Sequence, residues 1–168
     1  IDGARFVASA TRAAIQLVKD NIDEFNIDCG FEEVPGYLFS QTDDQQKELG
    51  DIRDSFIDVG INAEFTGDLP LSVPFKKAIR IPRQAKFHPL RYVHALAGAF
   101  EAAGGIIVEN CRVINENSNA DETIDIETTL GNFHAGALVY ATHIPTGINI
   151  LHLRCPAYRS YAMAVKLA

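Results

Sequence analysis

The chain has no tryptophan, one methionine and only three cysteines, Cys29, Cys111 and Cys155, set far apart. No C-x-x-C occurs, which excludes a compact zinc knuckle and a thioredoxin-type redox pair. Each cysteine stands among apolar residues and reads as a buried free thiol, the state of a reducing cytosol, so a cytoplasmic protein is expected. No apolar run reaches the roughly 18 residues of a membrane span. The first residues, Ile-Asp-Gly-Ala-Arg, lack the charged and apolar regions of a signal peptide. They also lack an initiator Met, and the last residues, "YRSYAMAVKLA", fall inside an apolar run. The sequence therefore reads as an internal segment of a longer protein.

Positive charge is in deficit: 15 Lys and Arg stand against 22 Asp and Glu, a formal net charge of -7. That argues against nucleic acid as a partner, since such proteins carry a basic face. One local basic stretch, Lys76 to Arg91, serves equally as a solvated strand face or as an anion site. Catalytic signatures are missing too. There is no G-x-S-x-G, no P-loop, no H-E-x-x-H and no G-x-G-x-x-G after a strand. Gly104-Gly105 precedes a strand-like run, the wrong order for holding a pyrophosphate. His88, His94, His134, His143 and His152 are scattered, so no metal site is expected. Glu32-Glu33 and Asp43-Asp44 are sequence neighbours and cannot converge as a glycosidase pair does. No catalytic residue can be named.

What is present is an α+β pattern. Val7, Thr11, Ala14, Val18, Ile22 and Phe25 recur at steps of three or four and predict a helix over 4–25. "CGFEEV" and "GYLFSQ" flank Pro35-Gly36 and predict two short strands around a turn. Thr42, with Gln45 three residues on, opens a second helix as a capping box, and Gly60 suits its C′ position. Leu49, Ile52, Phe56 and Val59 line that helix's inner face. Residues 62–75, with Gly67, Pro70 and Pro74, predict a short strand and a loop. A strand over 78–87 hands over at His88-Pro89 to a helix that presents Leu90, Val93, Ala97 and Phe100, with Pro89 at its first position. Gly104-Gly105 ends it. "IIV" reads as a strand covered on both faces. "TIDIETTLGNFHAGALVYAT" reads as a hairpin turning near Gly131-Asn132, with "ALVYAT" as a central strand. The order does not alternate β with α throughout, so a mixed-sheet α+β fold is favoured over a doubly wound one.

Two stretches carry functional interest: "QAKFHPLRYVHALAGAFEAAGGIIVENCRV", whose strand passes into a helix at His88, and "GALVYATHIPTG", a strand ending in small or hydroxylated residues. Taken alone, either is compatible with an ordinary strand end.

In these stretches the chain resembles FAD-dependent oxidoreductases of the D-amino-acid oxidase, glycine oxidase and sarcosine oxidase (DAO) family. The first is similar to that family's strand–helix–strand. "GNFHAGALVYATH" resembles its later hairpin, which usually ends Ala-Thr-Gly, and "YRSYAMAVKL" resembles the strand that follows. Ala-Thr-His in place of Ala-Thr-Gly, and the "CGFEEVPGYLF" stretch, most resemble the subset that continues into a Rieske iron–sulfur domain. The resemblance spans nearly the whole chain, through the order and spacing of its motifs.

The resemblance implies an internal segment without the dinucleotide-binding βαβ unit. About 1–88 would be mainly substrate-domain-like, about 89–145 FAD-domain-like, and 146–168 a strand returning to the substrate domain. It implies FAD as the cofactor of the parent protein and an amine or amino acid as its small-molecule substrate. The reaction implied is hydride transfer from a C–N bond, with the segment alone inactive. Val113, Ala141, Thr142 and His143 match positions beside the FAD dinucleotide; an imidazole at 143 departs from the glycine of other branches. Gln84 and His88 are offered as substrate-side residues. Two other readings stay open: a stand-alone small-molecule-binding or interaction module without redox activity, and a metal-dependent hydrolase built on the histidines. Self-association through strands near 78–88 or through the C-terminal tail is expected of an excised segment.

Overall fold

The structure is a computed structural model that describes residues 2–142. It divides into two compact units, residues 1–107 and 108–168. The α+β class expected from the sequence is what is found: the described residues form three helices and six strands, with both sheets antiparallel.

The first unit holds helix α1 (Asp2–Phe25), strand β1 (Glu32–Ser40), helix α2 (Asp43–Asp58), strands β2 (Glu64–Thr66) and β3 (Lys77–Lys86), and helix α3 (Pro89–Ala102). The helix ends follow local chemistry. Asn26, at φ 51, stops α1, and the Ile27 amide donates to the Ile22 carbonyl at 3.0 Å. Gly60 (φ 79) and Gly104 (φ 91) do the same for α2 and α3, with Ile61 donating to Phe56 O and Gly105 to Phe100 O. Each is the six-to-one closure of a Schellman motif, which requires a left-handed residue at C′. At the other end of α2 the expected capping box is complete, Thr42 and Gln45 satisfying each other's backbone amides.

β3 is the central strand, in the order β1-β3-β2, and Ala78 and Ile79 on it are fully buried. β1 covers β3 over its length, but β2 pairs only with residues 78–80. Among the described residues, the β2 side of β3 has no strand partner beyond Arg80. Lys77 Nζ lies 3.6 Å from the centroid of Phe65 and holds β2 against the sheet. A second cluster forms where α1 and α3 meet. Ile27, Cys29 and Tyr92 are buried there, with Val18, Ile22, Phe31, Phe87, Ala95 and Leu96 against them. The Phe87 and Tyr92 rings meet edge-on at 5.4 Å, and Asn21 Nδ2 donates to the Tyr92 hydroxyl at 2.8 Å.

The second unit holds strands β4 (Val113–Ser118), β5 (Ile124–Thr128) and β6 (Gly131–Ala135), a meander in the order β4-β5-β6. Its hairpin turns immediately before Gly131-Asn132, near the expected place.

Four sequence expectations are corrected. "CGFEEV" and "GYLFSQ" are not two strands around a turn: β1 runs through Pro35-Gly36 as one strand with a bulge. Residues 106–108 and 137–141 are in no strand, and Ile106 and Val139 are 83% and 85% exposed. Their apolar character suits strands, but a strand exists only when paired, and neither segment is paired into a described sheet. In α3 the buried side is Tyr92 with Leu96, while Leu90, Val93 and Phe100 are exposed. The helix is apolar on more than one side, so spacing alone did not choose the face. Cys29 is a buried thiol as expected, but Cys111 is only half-buried. Cys155, His143 and the expected strand in "YRSYAMAVKL" lie outside the described residues.

Candidate functional site

The site grows from an irregularity in the first sheet. Val34 faces Gln84 and Gly36 faces Ile81, so Pro35 alone stands opposite Pro82 and Arg83. This is a β-bulge, with two residues on β3 against one on β1. Neither proline has an N–H to lose there. Arg83 adopts φ 56, a left-handed conformation costing a non-glycine residue roughly 1–2 kcal/mol. The bulge turns β3 and re-aims the residue that follows, Gln84. Gly36 makes room for it, because a Cβ at that position would lie 3.2 Å from Gln84 Cγ. Gln84 Nε2 lies 3.4 Å from the Pro82 carbonyl as donor, leaving the amide oxygen available as an acceptor.

Gln84 lines a cavity of about 1040 Å³ formed within the first unit by α1, the end of α2 and the bulge. Val7, Ala8, Ile15, Phe56, Val59, Ile61 and Ile81 give it apolar walls. Arg12, Gln16, Glu33, Asn62 and Arg83 supply its polar positions. Arg12 is held in place: Nη1 donates to the Gly60 carbonyl at 2.9 Å, tying α1 to the α2 terminus. None of Arg12, Glu33 and Arg83 takes part in the ion pairs among the described residues. Sequence reasoning missed Arg12 and Glu33. An arginine on a helix and a glutamate on a strand carry no local signal, and only the tertiary packing gathers them.

His88 is not on the cavity wall. It is the N-cap of α3, with Nδ1 accepting from the Arg91 amide at 3.4 Å, and its own amide donates to Cys29 O at 2.8 Å. The His-Pro step thus makes a helix start, with Pro89 at the first helical position. The carbonyl-to-amide contact joins that start to the aromatic cluster.

In the second unit, Val113 begins β4 opposite Thr128 and is 47% exposed. Ala141 and Thr142 follow β6 and are exposed. Nearby, the Glu116 carboxylate accepts from the Tyr140 hydroxyl and holds that phenol above its ordinary value. Across β5 and β6, His134 Nδ1 and Asp125 Oδ1 are 2.7 Å apart. The His134 ring, and then Asn119, hold the Asp125 carboxyl below its usual range. Among the described residues no group of three or more His, Cys, Asp or Glu is gathered as metal ligands would be, and no helix is long and apolar enough to cross a membrane.

Comparison with known proteins adds to this geometry. The family DAO, FAD dependent oxidoreductase, matches residues 2–167. A protein of Bacillus subtilis (strain 168), YhfW, named as a candidate Rieske 2Fe-2S iron-sulfur protein, is 26% identical over 99% of this chain and 33% of its own length. The chain thus spans about a third of that relative. Among solved structures, glycine oxidase from Geobacillus kaustophilus is similar with a TM-score of 0.65 and 22% identity, over 84% of this chain and 38% of that one. L-proline dehydrogenase from P. horikoshii is similar with a TM-score of 0.62 and 17% identity, over 78% of this chain and 37% of that one. These two likenesses establish the fold.

Proposed function

Because this chain belongs to the DAO family of FAD dependent oxidoreductases, we propose that the whole protein oxidises a C–N bond of a small amine or amino acid. The match over residues 2–167 carries this reading. FAD, when bound, accepts the hydride. The chain's own residues would hold the substrate and line the cofactor's path. About 1–88 would serve mainly as the substrate side and about 89–145 as the FAD side; the return expected of 146–168 lies outside the described residues.

The residues given to the cofactor fit it in one respect. Val113 and Ala141 are exposed, and Ala141 and Thr142 are small, so backbone groups there are within reach of a ligand. Val113 would pass beside adenine, and Ala141, Thr142 and His143 beside the dinucleotide. No glycine-rich phosphate loop is in the sequence, and the helix N-terminus that normally holds a pyrophosphate must come from elsewhere in the protein. Gln84, aimed by the bulge, is the better supported substrate-side residue. His88 already uses one ring nitrogen as a cap, so only Nε2 is open to a substrate.

The 168-residue chain is therefore inactive and holds FAD weakly or not at all. Dialysis of FAD-loaded chain, followed by visible absorption, tests this: the flavin band is expected to disappear. A band retained at one equivalent would contradict it, and would support a free-standing small-molecule-binding module. The full-length protein is expected to keep the flavin and to be bleached by an amine or amino-acid substrate. Likeness to YhfW makes a Rieske centre in the full-length protein a natural electron acceptor, which its iron content and characteristic spectrum would reveal.

A further inference from the structure

We propose that the chamber between α1, α2 and the β3 bulge binds a small amphipathic carboxylate, with the carboxylate on Arg12 and the apolar body against Val7, Ile15, Phe56 and Ile81. The inference needs neither flavin nor catalysis, so binding to the chain alone tests it apart from the oxidoreductase reading.

Three observations carry it. First, the Arg12 guanidinium is placed in advance. Its contact to Gly60 O uses one of five N–H donors, and that carbonyl is itself fixed by the left-handed turn closing α2. The remaining donors have no carboxylate partner among the described residues. A planar fork with free donors matches a carboxylate, and one already oriented loses little freedom on binding it. Second, the charge around the chamber selects the sign of the ligand. Arg12 and Arg83 face a single carboxylate, Glu33, in a molecule whose formal net charge is -7. Arg83, an exposed residue on the chamber's lining, belongs to the basic stretch between Lys76 and Arg91. Third, the chamber's size and walls suit a ligand with an apolar body. Its volume of about 1040 Å³ is at the upper end of small-molecule sites, roughly 300–1,000 Å³, which are lined mainly by apolar side chains with a few polar groups.

Hydrocinnamate and its alcohol, hydrocinnamyl alcohol, share one apolar body and differ in the carboxylate. Each is titrated into the isotope-labelled 168-residue chain and followed by amide NMR. Hydrocinnamate is expected to shift Val7, Arg12 and Ile81 saturably, and to bind about ten-fold or more tightly than the alcohol, the scale of a charge-assisted hydrogen bond. Arg12→Met is expected to abolish that preference, Arg12→Lys to keep part of it, and Lys19→Met, on the same helix outside the chamber, to leave it intact. Equal affinity for acid and alcohol would reduce the chamber to an apolar groove and overturn the proposal. So would a preference that survives Arg12→Met, or no saturable shift at millimolar ligand. If Arg12→Met does not fold, the acid-to-alcohol comparison on the native chain decides alone.

Discussion

Gly36 and Gln84 show how one absent side chain sets the direction of another. A Cβ at position 36 would press on Gln84 Cγ at 3.2 Å, tighter than ordinary van der Waals contact. Gly36→Ala is therefore expected to turn the Gln84 side chain without unfolding the sheet. Its Nε2 resonances should move in a nitrogen–proton spectrum while the urea midpoint changes by less than roughly 1 kcal/mol of stability. Unmoved Gln84 resonances would show that the strand yields instead. Asp125 offers a second test. His134 lowers its carboxyl below the ordinary 3.8, so the contribution is present above that value and is lost as pH falls through the lower folded value. His134→Ala is expected to raise the Asp125 midpoint toward 3.8, read from its carboxyl carbon. A midpoint that stays low would assign the effect to Asn119, the next cause. Of the expected site residues, Gln84 was named through the family resemblance alone; its place beside the bulge is set by the pairing of β1 with β3 and is not marked in the local sequence. His88 was legible as a helix start, and its ring proves to be a cap. Arg12 and Glu33 were illegible because nothing in their local sequence marks them.

At the scale of elements, helices were the most legible because their ends are written in single residues. Thr42 with Gln45, Gly60 and Gly104 each sit at the terminus their chemistry demands. Thr42→Ala removes the side chain that accepts from the Gln45 amide, and α2 is expected to lose about 1 kcal/mol, seen as a lower urea midpoint with an unchanged slope. No change would mean that the cap is frayed in solution. Strands were less legible because they are written in pairs. The segments 106–108 and 137–141 have the composition of covered strands, yet no described neighbour completes them. α3 shows the same limit. Its apolar Leu90, Val93 and Phe100 are exposed and lie outside the Tyr92 cluster.

At the scale of the molecule, the described residues expose many large apolar side chains. Phe6, Val7, Leu17, Leu90, Ile106 and Val139 are each more than half exposed. Apolar surface of that kind drives association. The chain is expected to self-associate with rising concentration, which sedimentation velocity would detect, and to do so less in the full-length protein. A single monomeric species at high concentration would oppose this. The fold class and family were legible here because they rest on the order of motifs along the chain. The division after Ile107 was not, since it depends on how densely the segments pack.

Pro35 and Pro82 stand near one another across the ladder joining β1 to β3. Sliding β1 by two residues would preserve which side chains face inward, the usual route to a mispaired sheet. Here such a slide would set the bulged backbone around Arg83 against a regular stretch of β1. A bulge met by its own partner thus pins the register and discourages shifted pairings.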